Sequence, residues 1–102
     1  MRLVLLAAAI LTAQADDTFF EKNIRPVLAE KCWSCHSTGA KLVHAGLKLD
    51  NKASRESVIT LNKPEDSRLY KALLYTGATK MPPTGKLPPE TLENFRKWIA
   101  DG

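Results

Sequence analysis

Cys32-Trp33-Ser34-Cys35-His36 is a C-x-x-C-H stretch, and how it is read decides the fold. Two thiols at this spacing, followed directly by a histidine, form the attachment signature of c-type haem. Each thiol can add to one of the two haem vinyl groups. The histidine is then carried beneath the iron, where its imidazole serves as proximal ligand. Three other readings compete. A thioredoxin-like redox pair expects a βαβ pattern, which the chain lacks. Half of a zinc site expects a second Cys/His pair at finger spacing, and none follows. A lone disulfide here would close a very short loop and stabilise little. Cys32, Cys35 and His36 are therefore the candidate haem-attaching and iron-ligating residues.

A chain of 102 residues makes one domain at most. Such a chain builds a modest core and usually needs a staple, which a covalently held porphyrin supplies. Lys and Arg number 15 against 11 Asp and Glu, for a formal net charge of +4. No run of five or six like charges occurs, so a nucleic-acid arm is not indicated. Lysines gathered near a haem edge would favour an acidic redox partner.

Met1–Ala15 reads as a secretory signal peptide: Arg2 is the positive start, Leu3 to Leu11 the apolar run, and Ala13-Gln14-Ala15 the cleavage site. The apolar run is far short of the roughly 20 residues that span a bilayer, so no membrane span is expected in the mature chain. The expected organisation is a signal peptide over 1–15 and a monohaem domain over 16–102, exported to the periplasm. Bacterial c-type haem is attached outside the cytoplasm, so motif and leader agree on compartment.

Asp16 and Asp17 are candidate caps of a first helix. Phe20, Ile24, Val27, Leu28 and Cys32 form its apolar stripe, with a kink or a restart expected at Pro26. Ser37-Thr38-Gly39 is expected to end that helix after His36. Leu42, Leu47 and Leu49 are candidates for one pocket wall, and His44 in the same loop is a rival sixth ligand. Asp50 or Asn51 can cap a short helix through Glu56, and Pro64 opens one over about 65–74, with Gly77 as its stop signal. Tyr70 and Tyr75 are weighed as core residues or propionate partners, and Lys48 or Arg55 as propionate counter-charges. Pro88 and Pro89 start the last helix, whose face of Leu92, Phe95, Trp98 and Ile99 should meet the Phe20/Ile24 stripe.

Lys80-Met81-Pro82-Pro83-Thr84-Gly85 is the second informative stretch. A thioether is a soft ligand suited to low-spin haem iron. Two prolines exclude helix and stiffen the loop, which holds the sulfur at fixed reach. Met1 is the only other methionine, so Met81 is the candidate distal ligand.

The motif after a helix, the Met-Pro loop and the closing helix resemble a class I cytochrome c. The detail is closer to the planctomycete-type cytochrome c domain. The likeness is carried by Ile24-Arg25-Pro26-Val27-Leu28, Ala45-Gly46-Leu47-Lys48-Leu49-Asp50, Pro64-Glu65 with Ser67, Met81-Pro82-Pro83, Gly85-Lys86-Leu87 and Trp98-Ile99. It implies a small all-α fold, with N- and C-terminal helices packed around one covalent haem c. It also implies Cys32 and Cys35 as attachment points, His36 as proximal ligand and Met81 as distal ligand. The family tends to carry two glycines where this chain has Ala45-Gly46, and a capping side chain where it has Pro88. The activity expected is one-electron transfer with transient redox partners rather than catalysis. The alternative is a haem enzyme or gas sensor with an open sixth site.

Overall fold

The computed structural model describes residues 18–102. The expected signal peptide and the candidate caps Asp16 and Asp17 lie outside the described residues. All regular structure among the described residues is helical. The first helical segment contains a π-turn over Phe20–Ile24 and continues as α1, Arg25–Lys31. Pro26 has no amide to donate, and the turn before it widens so that the Arg25 amide reaches the Phe20 carbonyl. The expected restart is thus present, with Pro26 in the first turn of α1.

Helix α1 ends at Lys31, earlier than the sequence suggests, and the cysteine motif is a run of turns. Its backbone is still ordered by hydrogen bonds: the Cys32 and Trp33 amides both donate to Leu28, and the His36 amide donates to Cys32 at 2.8 Å. Turns rather than helix free the Cys35 and His36 carbonyls for the loop that follows.

That loop contains a 3-10 turn, His44–Gly46. Ala45 and Gly46 both have positive φ, at 57° and 67°. These are the positions where the resemblance expects two glycines, and the backbone shows why: glycine enters this region without a Cβ clash. Helix α2, Lys52–Glu56, is capped by Asn51, whose Oδ1 accepts from the Ser54 amide at 3.0 Å. Asp50 serves elsewhere, accepting from the Thr38 amide at 2.9 Å.

The helix expected over 65–74 is two pieces, a 3-10 turn at Pro64–Asp66 and α3 at Arg68–Leu73. Ser67 breaks it. Fully buried, its hydroxyl donates to the Lys63 carbonyl at 2.9 Å and accepts from the Thr60 amide at 2.8 Å. Its backbone is extended, at φ −80° and ψ 124°, and this separates the two pieces. Helix α3 stops before Gly77, because Tyr75 already has a positive φ of 63°.

Helix α4, Pro89–Asp101, starts at the expected prolines and has no side-chain cap at Pro88. Leu92, Phe95 and Ile99 are buried in the core with Ile24, Leu28, Leu69 and Leu73. The expected terminal-helix contact is present: the Phe20 and Trp98 rings lie 5.4 Å apart, and Phe95 meets Trp98 edge-on at 6.1 Å. Full burial of one such aromatic contributes about 3 kcal/mol. Asn62 ties the end of α4 down, its side chain donating to the Ala100 carbonyl at 2.8 Å.

Candidate functional site

Cys32, Cys35, His36 and Met81 border one cavity of about 810 Å³. Its other walls are largely apolar, with Leu47 and Leu49 from the loop, Val58, and Leu69, Ala72 and Leu73 from α3. The chain therefore brings together the four side chains singled out in the sequence, although Cys32 and Met81 are far apart along it.

The local backbone explains how His36 is aimed. Leu49 donates its amide to the His36 carbonyl at 2.8 Å, and His44 donates to Cys35 at 3.0 Å. The loop over 44–49 is in this way laced to the motif. The His44 carbonyl lies 3.1 Å from the His36 Nδ1. A carbonyl only accepts, so Nδ1 carries the proton and the lone pair is on Nε2. This is how metal-binding histidines are usually oriented: one ring nitrogen is held by a backbone carbonyl and the other is left to bind.

Cys32 and Cys35 are not joined by a disulfide. Burial pushes the Cys32 thiol up to about 11. This is opposite in direction to the lowering that activates a nucleophilic redox thiol. Among the described residues no group of three or more His, Cys, Asp or Glu side chains is arranged to hold a metal ion.

Met81 is half-buried. Its amide donates to the Ala72 carbonyl of α3 at 3.1 Å. Ala72 lies in the last turn of that helix, and its carbonyl also accepts from the Tyr75 amide at 3.3 Å. The Met81-Pro82 peptide is cis.

Several expectations are corrected. Leu42 is 68% exposed and is not part of the wall. Arg55 donates to the Leu49 carbonyl at 3.0 Å and lies over the Phe20 ring at 5.1 Å, so it is occupied in the fold. Neither Arg55 nor Lys48 borders the cavity; the basic residues that do are Lys31, Arg68 and Lys71. Arg68 was missed because its helical position alone does not say which way it faces. Tyr70 turns toward α4, where burial first and then Glu93 push its hydroxyl above the usual range. Tyr75 reaches the Pro82 carbonyl. His44 borders the cavity with its ring 6.3 Å from that of His36, while its backbone is bound to the Nδ1 edge of that ring.

The donor set fits a haem of the c type. Two thiols, one imidazole with a free Nε2 and one thioether surround a mostly apolar cavity, and its volume is within the range of cofactor pockets. No helix among the described residues is long and apolar enough to cross a membrane.

A family model described as Planctomycete cytochrome C matches residues 32–85, just over half of the chain. The match begins at the first cysteine of the motif and runs past Met81. The helix before the motif and the closing α4 lie outside it. No curated protein and no solved structure matches the chain significantly.

Proposed function

The chain belongs to the Planctomycete cytochrome C family, and from that membership we propose that it is a one-electron carrier with a single covalent haem c. Cys32 and Cys35 would hold the porphyrin through thioether bonds, with His36 and Met81 as the two axial ligands. Met1–Ala15 would direct export, and residues 16–102 would act in the periplasm. The haem, when bound, supplies reversible one-electron chemistry at iron.

What the chain's own residues do follows from the site. The His44 carbonyl fixes the tautomer of His36 and makes its imidazole a better donor. The leucines of the loop and of α3 exclude water, and this raises the cost of a net charge in the cavity. A thioether in place of a second imidazole raises the potential. Lys31, Arg68 and Lys71 border the cavity and would meet the propionates or the acidic surface of a transient partner. His44 is a poorer candidate for the sixth position, since its backbone is tied to the edge of the His36 ring that points away from the lone pair.

The observation that carries this reading is the meeting of both thiols, His36 and Met81 on one apolar cavity. Its test is a mass and a ferric absorption spectrum of exported holoprotein, beside Met81→Ala. The expected results are a mass greater by one haem and a weak far-red sulfur-to-iron band, absent from the variant. Persistence of the band in Met81→Ala removes Met81 as ligand. Fast, stoichiometric carbon monoxide binding by the reduced wild type would replace the carrier reading with an enzyme or sensor that has an open sixth site.

A further inference from the structure

We infer that Tyr75 is a positioning residue for Met81: its hydroxyl anchors the loop that presents the thioether to the cavity. The inference rests on Met81 being the sixth ligand and names the part of the chain that keeps it there. The argument begins with the backbone. Tyr75 has a φ of 63°, in the region that glycine or asparagine usually fills. A tyrosine in such a place calls for an explanation in what its side chain does.

The side chain crosses to the Met81 loop. The Tyr75 hydroxyl donates to the Pro82 carbonyl, the oxygen of the second peptide after Met81. On the other flank, the Met81 amide donates to Ala72 at 3.1 Å. Ala72 and Tyr75 are joined by their own backbone hydrogen bond at 3.3 Å, in the turn that ends α3. One helix end thus holds the chain on each side of the thioether, at the Met81 amide and at the Pro82 carbonyl. Methionine is unbranched and has several rotatable bonds. With both flanks fixed, only its side-chain torsions remain to be ordered when the sulfur binds.

The Pro82 carbonyl also accepts from the Gly85 amide at 3.3 Å. Removing the tyrosine hydroxyl therefore leaves the turn over 82–85 its own hydrogen bond, and only the tie to α3 is lost. Pro82 is itself buried, so the loop stays packed in the variant. The expected defect is a more frequent departure of the Met81 sulfur rather than loss of the fold.

The test compares holoprotein of wild type, Tyr75→Phe, Tyr70→Phe and Met81→Ala. The rate of carbon monoxide binding to the reduced form reports how often the sulfur leaves, and the far-red ferric band reports how much of it is bound. Tyr75→Phe should bind carbon monoxide roughly fivefold faster than wild type, the effect of one net hydrogen bond, with a weaker band. Tyr70→Phe, whose hydroxyl faces α4, should behave as wild type. If Tyr75→Phe yields no holoprotein, Tyr75→Asn keeps a residue that tolerates the backbone angle and should show the same acceleration. A Tyr75→Phe indistinguishable from wild type, while Met81→Ala loses the band, overturns the role of Tyr75 and leaves Met81 as ligand. Equal acceleration in Tyr70→Phe and Tyr75→Phe also overturns it, as general loosening. Survival of the band in Met81→Ala overturns the ligand assignment itself.

Discussion

His36 and Met81 border the same cavity, but very different amounts of chain hold them there. Around His36 the support is dense: its amide to Cys32 at 2.8 Å, its carbonyl from Leu49 at 2.8 Å, the neighbouring Cys35 carbonyl from His44 at 3.0 Å, and its ring to the His44 carbonyl at 3.1 Å. Around Met81 two ties to the end of α3 carry the loop, the amide to Ala72 and the Tyr75 hydroxyl to Pro82. A typical hydrogen bond contributes a net ~1 kcal/mol. Losing one of several leaves the imidazole nearly where it was; losing one of two loosens the thioether. The comparison teaches that the motif is built as a fixed seat and the methionine loop as the side from which ligand exchange starts.

The sharpest way to break this comparison is a pair of equal cavities cut on the two sides. Leu49 and Leu73 are each 2% exposed and each borders the cavity. Leu49→Ala and Leu73→Ala should each lower holoprotein stability by about 3 kcal/mol in denaturant titration. They should then part: carbon monoxide binding accelerates in Leu73→Ala, whose helix carries the Met81 ties, and stays near wild type in Leu49→Ala. Equal acceleration would show that the two sides are not independently supported.

Ser67→Ala is the next largest. It removes the buried hydroxyl that bonds Thr60 and Lys63 and unties the loop at the root of α3, at a cost of about 2 kcal/mol by the same titration. Its carbon monoxide rate should fall between those of wild type and Leu73→Ala. The smallest effect belongs to Glu93→Gln, on the outer face of α4. Glu93 and Arg96 meet at 2.6 Å but both are exposed, and such pairs contribute little. The Arg96 hydrogen bond holds the Glu93 carboxyl below the usual carboxylate range. Whatever the pair adds is present above that range and fades as pH falls through the lowered value. Unfolding midpoints of wild type and variant should therefore be close at neutral pH and converge in acid. A wide gap at pH 7 would mean that α4's outer face matters more than either side of the cavity.

The parts legible in the sequence are those that local chemistry dictates. The cysteine motif can be read because covalent attachment demands its spacing, and Met81 because no other methionine follows the first residue. Helix α4 and its contact with Phe20 follow from an apolar period that nothing interrupts. What stayed hidden depends on partners distant in sequence. Ser67 looks like an ordinary helical residue until Lys63 and Thr60 fold back over it. Asp50 looks like a cap for α2, but the Thr38 amide claims it. Tyr75 gives no sign of its positive φ, because aromatic residues rarely adopt one. Side-chain direction separates Leu42, exposed, from Leu47 and Leu49, which face the cavity; irregular backbone has no period from which to read it.

The wide turn over Phe20–Ile24 has a consequence for how the two ends of the polypeptide meet. In an unbroken α-helix each residue advances about 100° around the axis. A loop closed from Arg25 back to Phe20 takes in one residue more than a regular turn. Everything before Ile24 is therefore rotated out of phase with the stripe that follows it. The phenyl ring that greets Trp98 owes its bearing to this slip in register, set by a proline further along the chain.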